Sequence, residues 1–288
     1  MTAENTGELE IERHDATLLL RLNRPEALNA LSYPQVDALK SALTEAGQDR
    51  SVRAVVLSAA GDRAFCAGID VKSVAERDAA AEKVASTGTR LDPVVASFES
   101  LDAVLGDVVR LIHRLPVPVI AAVNGHAIGA GFAYAAACDL RVGSSNAKFA
   151  DGFVKRGISG CELGLSYFLP KIIGPALAFE MMMTGRTMAA DEAKAAGLIS
   201  EVVEPHELET TALAQAERIA TLAPLSVTMT KEVMWANLHA SSLDHALAME
   251  ARTQGLARLT ADAAEARNSF IEKRTPEFAQ PEAPRPFR

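Results

Sequence analysis

Apolar residues change their texture along this chain. Up to about residue 164 they come as short, nearly unbroken runs separated by Gly, Pro, Asn and Asp; beyond it they recur at helical spacing. Thr17-Leu18-Leu19-Leu20-Arg21-Leu22 predicts a mostly buried strand, ended by the turn Asn23-Arg24-Pro25. Ser32 is placed to cap a helix on which Val36, Leu39 and Leu43 keep the apolar period. Arg53 to Ser58 predicts the next strand, and a strand, helix, strand order implies a parallel pair. Residues 71–84 read as helix, 85–100 as a mobile loop, and 101–115 as an amphipathic helix closed by Pro116 and Pro118. Val117 to Val123, rich in Val, Ile and Ala, predicts a third strand buried on both faces. Gly129-Ala130-Gly131 then opens a helix to about Cys138, and Asp139 to Val142 returns as a strand.

Beyond Gly164, helices are expected over 165–173, 175–184, 190–196, 208–222, 227–238 and 242 to about 274. No repeat of fixed period is visible. The order predicts an α/β core over residues 1–200, a helical region over 201–275, and an extended tail over 276–288, where Pro276, Pro281, Pro284 and Pro286 concentrate.

Composition narrows the function classes. With 288 residues, 49% of them hydrophobic, the chain can bury a sizeable core and is not disordered. Its 29 Lys and Arg against 37 Asp and Glu give a net charge of −8, which argues against a nucleic-acid partner. The three scattered cysteines, Cys66, Cys138 and Cys161, lack the cadence of a metal site or a disulfide framework. Met1 to Asn5 has no basic region or apolar stretch of a secretion signal, so a cytoplasmic location is expected. The apolar run from Val117 to Cys138 is interrupted by Pro118, Asn124-Gly125-His126, Gly129 and Gly131, which reads as buried strand, loop and helix rather than as a membrane span.

There is no Walker-type loop, and Gly129-Ala130-Gly131 has the wrong length and place for a dinucleotide fingerprint. What remains are two turns of small residues, at 66–70 and 125–131. Small residues let backbone N–H groups face outward where a helix dipole adds positive potential. If the two turns converge, a pair of such amides makes an oxyanion hole for a polarised carbonyl; tight strand-helix packing explains each turn equally well.

Several segments, in order, resemble the crotonase (enoyl-CoA hydratase/isomerase) superfamily. They are Leu22-Asn23-Arg24-Pro25 with Leu28-Asn29-Ala30-Leu31, Ala64-Phe65-Cys66-Ala67-Gly68-Ile69-Asp70, and Pro118-Val119-Ile120-Ala121-Ala122-Val123-Asn124-Gly125 continuing through Gly129-Ala130-Gly131 to Cys138-Asp139. Met183-Thr184-Gly185-Arg186, Ala193 to Ile199 and Phe270-Ile271-Glu272-Lys273-Arg274 follow, so the likeness covers roughly residues 10–275. It implies a spiral of ββα units with a C-terminal helical trimerisation region, trimers that often pair into hexamers, and acyl-CoA thioester substrates with no separate cofactor. Position by position, it implies an oxyanion hole from the amides of Ile69 and Ala130. It puts Lys72 near the CoA phosphates, and Phe270 and Lys273 in the CoA pocket of a neighbouring subunit.

The pattern then breaks. Family hydratases use two glutamates, and the matching positions here are Ala133 and Phe153, neither of which exchanges a proton. Another acidic position of the family, where the next helix begins, falls on Glu162 if one residue is inserted before Leu169-Pro170, and on Cys161 otherwise. Glu162 is therefore the expected acid/base, with first-turn helix capping as the competing role. Asp151 lies two residues before the vacant Phe153 position and is a further candidate. His126 reads as a turn residue, Asp139 as fixing a strand start, and the Met181-Met182-Met183 run as helix packing. The expectation is an acyl-CoA enzyme of atypical reaction: isomerisation, or hydration or hydrolysis of an unusual acyl group. The alternative is a non-catalytic acyl-CoA binder or assembly protein of the same fold.

Overall fold

The structure is a computed structural model that describes residues 7–73, 95 and 100–278. The predicted loop over 85–100 and the predicted helix beyond 73 therefore fall almost wholly outside the described residues.

Six strands form the larger sheet: β1 (Leu9–His14), β2 (Thr17–Leu22), β3 (Ala54–Ala59), β5 (Val119–Val123), β7 (Leu140–Ser144) and β10 (Glu201–Val203), in the order β1-β2-β3-β5-β7-β10. β1 and β2 make an antiparallel hairpin pairing His14 with Thr17, and Asp15 takes the left-handed conformation (φ 49°) that so short a turn requires. Every other pair in this sheet is parallel. The unbroken apolar runs follow from burial on both faces. Leu18, Leu20, Val55, Leu57, Val119 and Ala121 point into the main core, and Leu19, Ala54, Val56, Ile120 and Ala122 point to the other side. That other side is covered by Leu208, Ala212 and Ala216 of α7 (Leu208–Ala220).

A second sheet, which the sequence did not reveal, runs β4 (Ala64–Cys66), β6 (His126–Ile128), β8 (Lys148–Ala150), β9 (Met188–Ala189), with β4, β6 and β8 parallel. The chain thus alternates: β3 in the large sheet is followed by β4 in the small one, β5 by β6, and β7 by β8. β4, β6 and β8 each end in a turn, and because these strands pair in parallel the three turns lie side by side. Mixed α/β with parallel sheets is what the expected spiral of ββα units requires.

Helices close the core. α1 (Tyr33–Gln48) is capped by Ser32, whose hydroxyl accepts from the Gln35 amide at 3.2 Å, as its sequence predicts. The expected helix at 101–115 is observed as a π-helical turn (Ser100–Leu105) leading into α2 (Gly106–Arg114). α3 (Ala130–Ala137) buries all eight residues. α4 (Leu165–Ile173), α5 (Pro175–Thr184) and α6 (Ala190–Ala195) follow. β10 lies at the edge of the large sheet, and α7 packs on the face of that sheet.

α8 (Pro224–Asn237) is fastened to the core by a buried polar knot. Lys231 Nζ contacts Asp139 Oδ2 at 2.7 Å and donates to the carbonyls of Ile112 (3.1 Å) and Val117 (3.2 Å), while Trp235 Nε1 donates to Asp139 Oδ1 at 2.9 Å. Asp139 also accepts from the Val119 amide at 2.8 Å, and so fixes a strand start as expected. The single helix expected from 242 to 274 is two, α9 (Leu243–Ala257) and α10 (Ala261–Glu272), split where Thr260 caps the second through the Ala263 amide. α9 buries no residue, and Leu243, Leu247, Leu256, Leu259, Phe270 and Ile271 are all at least half exposed in the single chain.

Candidate active site

The first turn, after β4, is strapped to the segment ahead of α1. Ala67 N–H donates to Leu28 O, Leu31 N–H to Gly68 O and Asp70 N–H to Leu31 O, at 3.1, 2.8 and 3.0 Å. In this parallel bridge between Leu31 and Ile69, the amide of Ile69 itself points away from the strap. Asn29 anchors the strap by donating to Ala60 O (2.9 Å) and Ala64 O (2.7 Å). Arg24 braces it from the side, holding Ala30 O at 2.7 Å and Asp70 Oδ2 at 2.9 Å. This contact to the guanidinium holds the Asp70 carboxyl below its ordinary value.

The second turn joins β6 to α3 through Gly129, whose φ of 55° and ψ of −116° suit glycine alone. Ala130 is the first residue of α3, so its N–H has no intrahelical acceptor and lies at the positive end of the helix dipole. The two turns meet backbone to backbone. A Cβ on Gly131 would stand 2.3 Å from Cys66 O, and a Cβ on Gly68 would stand 3.3 Å from Ile128 O and 4.0 Å from Ala130 N. Ile69 and Ala130 thus sit on two abutting turns, each with an amide free of the local ladder. An acceptor placed between such donors would be polarised.

Neither Ala133 nor Phe153 brings an acid to this point. Ala133 is fully buried inside α3. Phe153, 8% exposed, lays its ring against Gly129: a Cβ there would stand 3.2 Å from Phe153 Cζ.

The carboxyl groups arrive from another direction. Asp151, just past β8, is 0% exposed, and among the described residues no side chain donates to its carboxyl. Burial pushes its proton affinity up, and the nearby amides of Val154 and Phe153 oppose this more weakly. Glu162 lies in the loop before α4 and is half-buried; burial raises its pKa first, and the charge of Asp151 raises it further. The helix N-cap is Gly164 (φ 82°), two residues beyond Glu162, and α4 has no side-chain cap. Capping is therefore not the role of Glu162. Leu163 (φ 48°) and Gly164 are successive left-handed residues that wrench the chain around just after the carboxylate, and at Leu163 that conformation is strained.

The remaining candidates are more peripheral. Lys72 is exposed, with its backbone N–H on Asp70 Oδ1 at 3.0 Å. Phe270 is 84% exposed on α10, and Lys273 is its exposed left-handed C-cap (φ 55°). His126 and Cys161 are exposed. Asn29 and Arg24 escaped the sequence reading as site residues; their signal was the Asn-Arg-Pro and Leu-Asn pattern already noted. The nearness of Asp151 to Glu162 carried no signal, because ten residues without a sustained period separate them.

Comparison with known proteins places this arrangement. The enoyl-CoA hydratase/isomerase family profile matches residues 12–281. A probable enoyl-CoA hydratase of Mycobacterium bovis is 41% identical over 260 residues, covering 90% of this chain and 88% of that protein. A crotonyl-CoA hydratase of Syntrophomonas wolfei is 33% identical over 269 residues, 93% and 96% of the two chains. The crystal structure of a probable enoyl-CoA hydratase/isomerase from Mycobacterium abscessus superposes with a TM-score of 0.83 at 36% identity, over 95% of this chain and 99% of that one.

Proposed function

Since the chain belongs to the enoyl-CoA hydratase/isomerase family of the crotonase superfamily, we propose that it is an acyl-CoA enzyme in which Glu162, rather than the usual glutamate pair, moves the proton. The thioester carbonyl of the substrate sits between the amides of Ile69 and Ala130. As a proton leaves carbon, the negative charge gathered on that oxygen is met by donors already in position. Glu162 carries the proton, and burial and the charge of Asp151, which raise its proton affinity above that of an ordinary carboxyl, suit a group that must both take and return one. The observation that supports this most is the pairing of a half-buried, proton-retaining carboxyl with two abutting turns, while Ala133 and Phe153 supply no titratable group.

One such carboxylate suits double-bond isomerisation, or hydration or hydrolysis of an unusual acyl group. The CoA phosphates fall to Lys72 and, across a subunit boundary, to Lys273, with Phe270 beside the nucleotide. The exposed apolar residues of α9 and α10 support a homotrimer or a hexamer. CoA enters as part of the substrate, and the reading needs no separate cofactor. The net charge of −8 gives no support to a nucleic-acid partner. Among the described residues no helix is long and apolar enough to cross a membrane.

The packing of Phe153 against Gly129 favours a second reading, a non-catalytic acyl-CoA binder. One experiment separates them: turnover of, and affinity for, a panel of acyl-CoA esters by wild type and Glu162→Gln. The enzyme reading expects wild-type turnover, a loss of roughly 10²- to 10⁴-fold in the variant, and nearly unchanged affinity. Full turnover by Glu162→Gln refutes the role of Glu162. Binding with no wild-type turnover supports the second reading.

A further inference from the structure

Asp151 is the most anomalous polar group in the described structure. A carboxyl fully removed from water and met only by the nearby amides of Val154 and Phe153, with no cation or side-chain donor on it, is costly unless something offsets it, and such groups call for an explanation. Its place supplies one. The chain crosses directly over it at Gly160, where a Cβ would stand 2.6 Å from Asp151 Oδ2 and 2.9 Å from Met182 O of α5. Glycine at 160 is what lets the carboxyl lie under the loop that presents Glu162 two residues later. On its other side the Asp151 carbonyl oxygen stands 3.5 Å from where a Gly129 Cβ would be, so the same residue abuts the turn that carries Ala130.

We propose that Asp151 is the buried partner of Glu162: above the ordinary carboxylate range the two carboxyl groups pass through a state that holds one proton between them, and Asp151 acts through Glu162 by setting when Glu162 gains and loses its own. This rests on the reading of Glu162 as the acid/base. Two like charges in one poorly hydrated site cannot both form cheaply, so the pair releases its protons in two separated steps. One carboxyl is then ionised and able to accept a proton while the other still keeps one. Glu162 alone exchanges a proton with substrate, and Asp151 sets how readily it does so. Asp151 is a positioning residue in this scheme and makes no contact with substrate.

Charged groups on neighbouring elements are otherwise engaged or exposed. Lys155 and Arg156, on the turn after Asp151, are exposed, as are Lys148 and His126 on the adjoining strands. Glu180 and Arg186, flanking the end of α5, pair at 2.6 Å. Lys171 of α4 donates to Tyr167 O at 2.9 Å, and burial keeps His113 of α2 below its ordinary value. The influences that raise Glu162 are burial and Asp151.

The test uses the full-length protein with ¹³C-labelled glutamate side chains, titrated by NMR, with Glu162→Gln assigning the Glu162 signal. Asp151→Asn keeps the shape and removes the charge. The midpoint of Glu162 is expected to fall by about one pH unit or more, a tenfold change in proton affinity, and the limb of the turnover-pH profile that follows Glu162 should move down with it. A midpoint that stays within experimental error overturns the proposal. If Asp151→Asn does not fold, Gly160→Ala, whose added carbon must displace the Asp151 carboxylate, serves instead with the same expected and overturning results. Full activity in Glu162→Gln would refute the assignment of Glu162 while the titration still decides whether the two carboxyls are coupled.

Discussion

Replacing Gly131 by Ala tests whether the junction of the two turns matters for chemistry as well as for packing. The new Cβ would stand 2.3 Å from Cys66 O, 2.6 Å from Cys66 Cβ and 2.9 Å from Cys66 C. Carbon and oxygen in ordinary contact sit about 3.3–3.6 Å apart, so the turns must separate by roughly 1 Å. Both flanks are fully buried, which leaves no solvent-facing side to yield. Overpacking of this kind costs about 1–3 kcal/mol, or roughly 2–12 °C in melting temperature for a domain of this size. The larger effect should be kinetic. Donors and reacting groups displaced by about 1 Å lose on the order of 10²-fold in rate. The assay is turnover of the best acyl-CoA ester found in the panel, beside thermal unfolding of the same samples. Gly255→Ala in α9, where a Cβ meets nothing within 4 Å, is the control and should be neutral or slightly stabilising. A folded Gly131→Ala protein with turnover within about threefold of wild type would refute the claim that this contact positions the amides, since it falls far short of the expected loss.

Other expectations follow from the same geometry. Lys231→Met strands Asp139 without its cation and leaves the Ile112 and Val117 carbonyls unpaired, so urea unfolding should show a loss of about 3–5 kcal/mol. Asp151 and Glu162 hold protons in the folded chain that the unfolded chain releases at ordinary carboxylate pH. Their cost is therefore absent below about pH 4 and grows as pH rises toward their raised values, and Asp151→Asn should flatten that slope in unfolding curves measured against pH. Asp70, held low chiefly by its hydrogen bond to Arg24, acts in the opposite sense: its stabilisation is present above the ordinary carboxylate value and is lost as pH falls through its lowered one. Leu259→Asp, at a side chain 85% exposed in the single chain, should shift light-scattering mass from trimer or hexamer toward monomer, and an unchanged mass would contradict the role given to this face.

How far the sequence carries depends on what burial leaves in the residues themselves. The four inner strands of the large sheet were legible because both faces are covered, so Thr17–Leu22 and Val119–Val123 are apolar nearly without interruption, whereas the edge strands β1 and β10, half exposed, went unread. Ala64-Phe65-Cys66, His126-Ala127-Ile128 and Lys148-Phe149-Ala150 are too short to show a period, and the second sheet went unseen. The break at residues 258–260 was invisible because no Gly or Pro marks it; the cap is the Thr260 hydroxyl. At the site, the glycines of the two turns were readable as small residues, but that Gly68 and Gly131 abut the opposite turn is a fact of three dimensions. Glu162 could be placed near a helix start, yet only the left-handed Leu163-Gly164 step shows that it precedes the cap. The burial of Asp151 beneath Gly160 depends on a chain crossing that no spacing encodes.

The most direct test of the account is a crystal structure of the protein with a stable, enolisable acyl-CoA thioester bound. The account predicts the thioester oxygen about 2.7–3.1 Å from both the Ile69 and Ala130 nitrogens, with the Glu162 carboxyl beside the carbon that exchanges its proton. A thioester oxygen turned away from those two amides, or a Glu162 facing solvent with ligand in place, would contradict it.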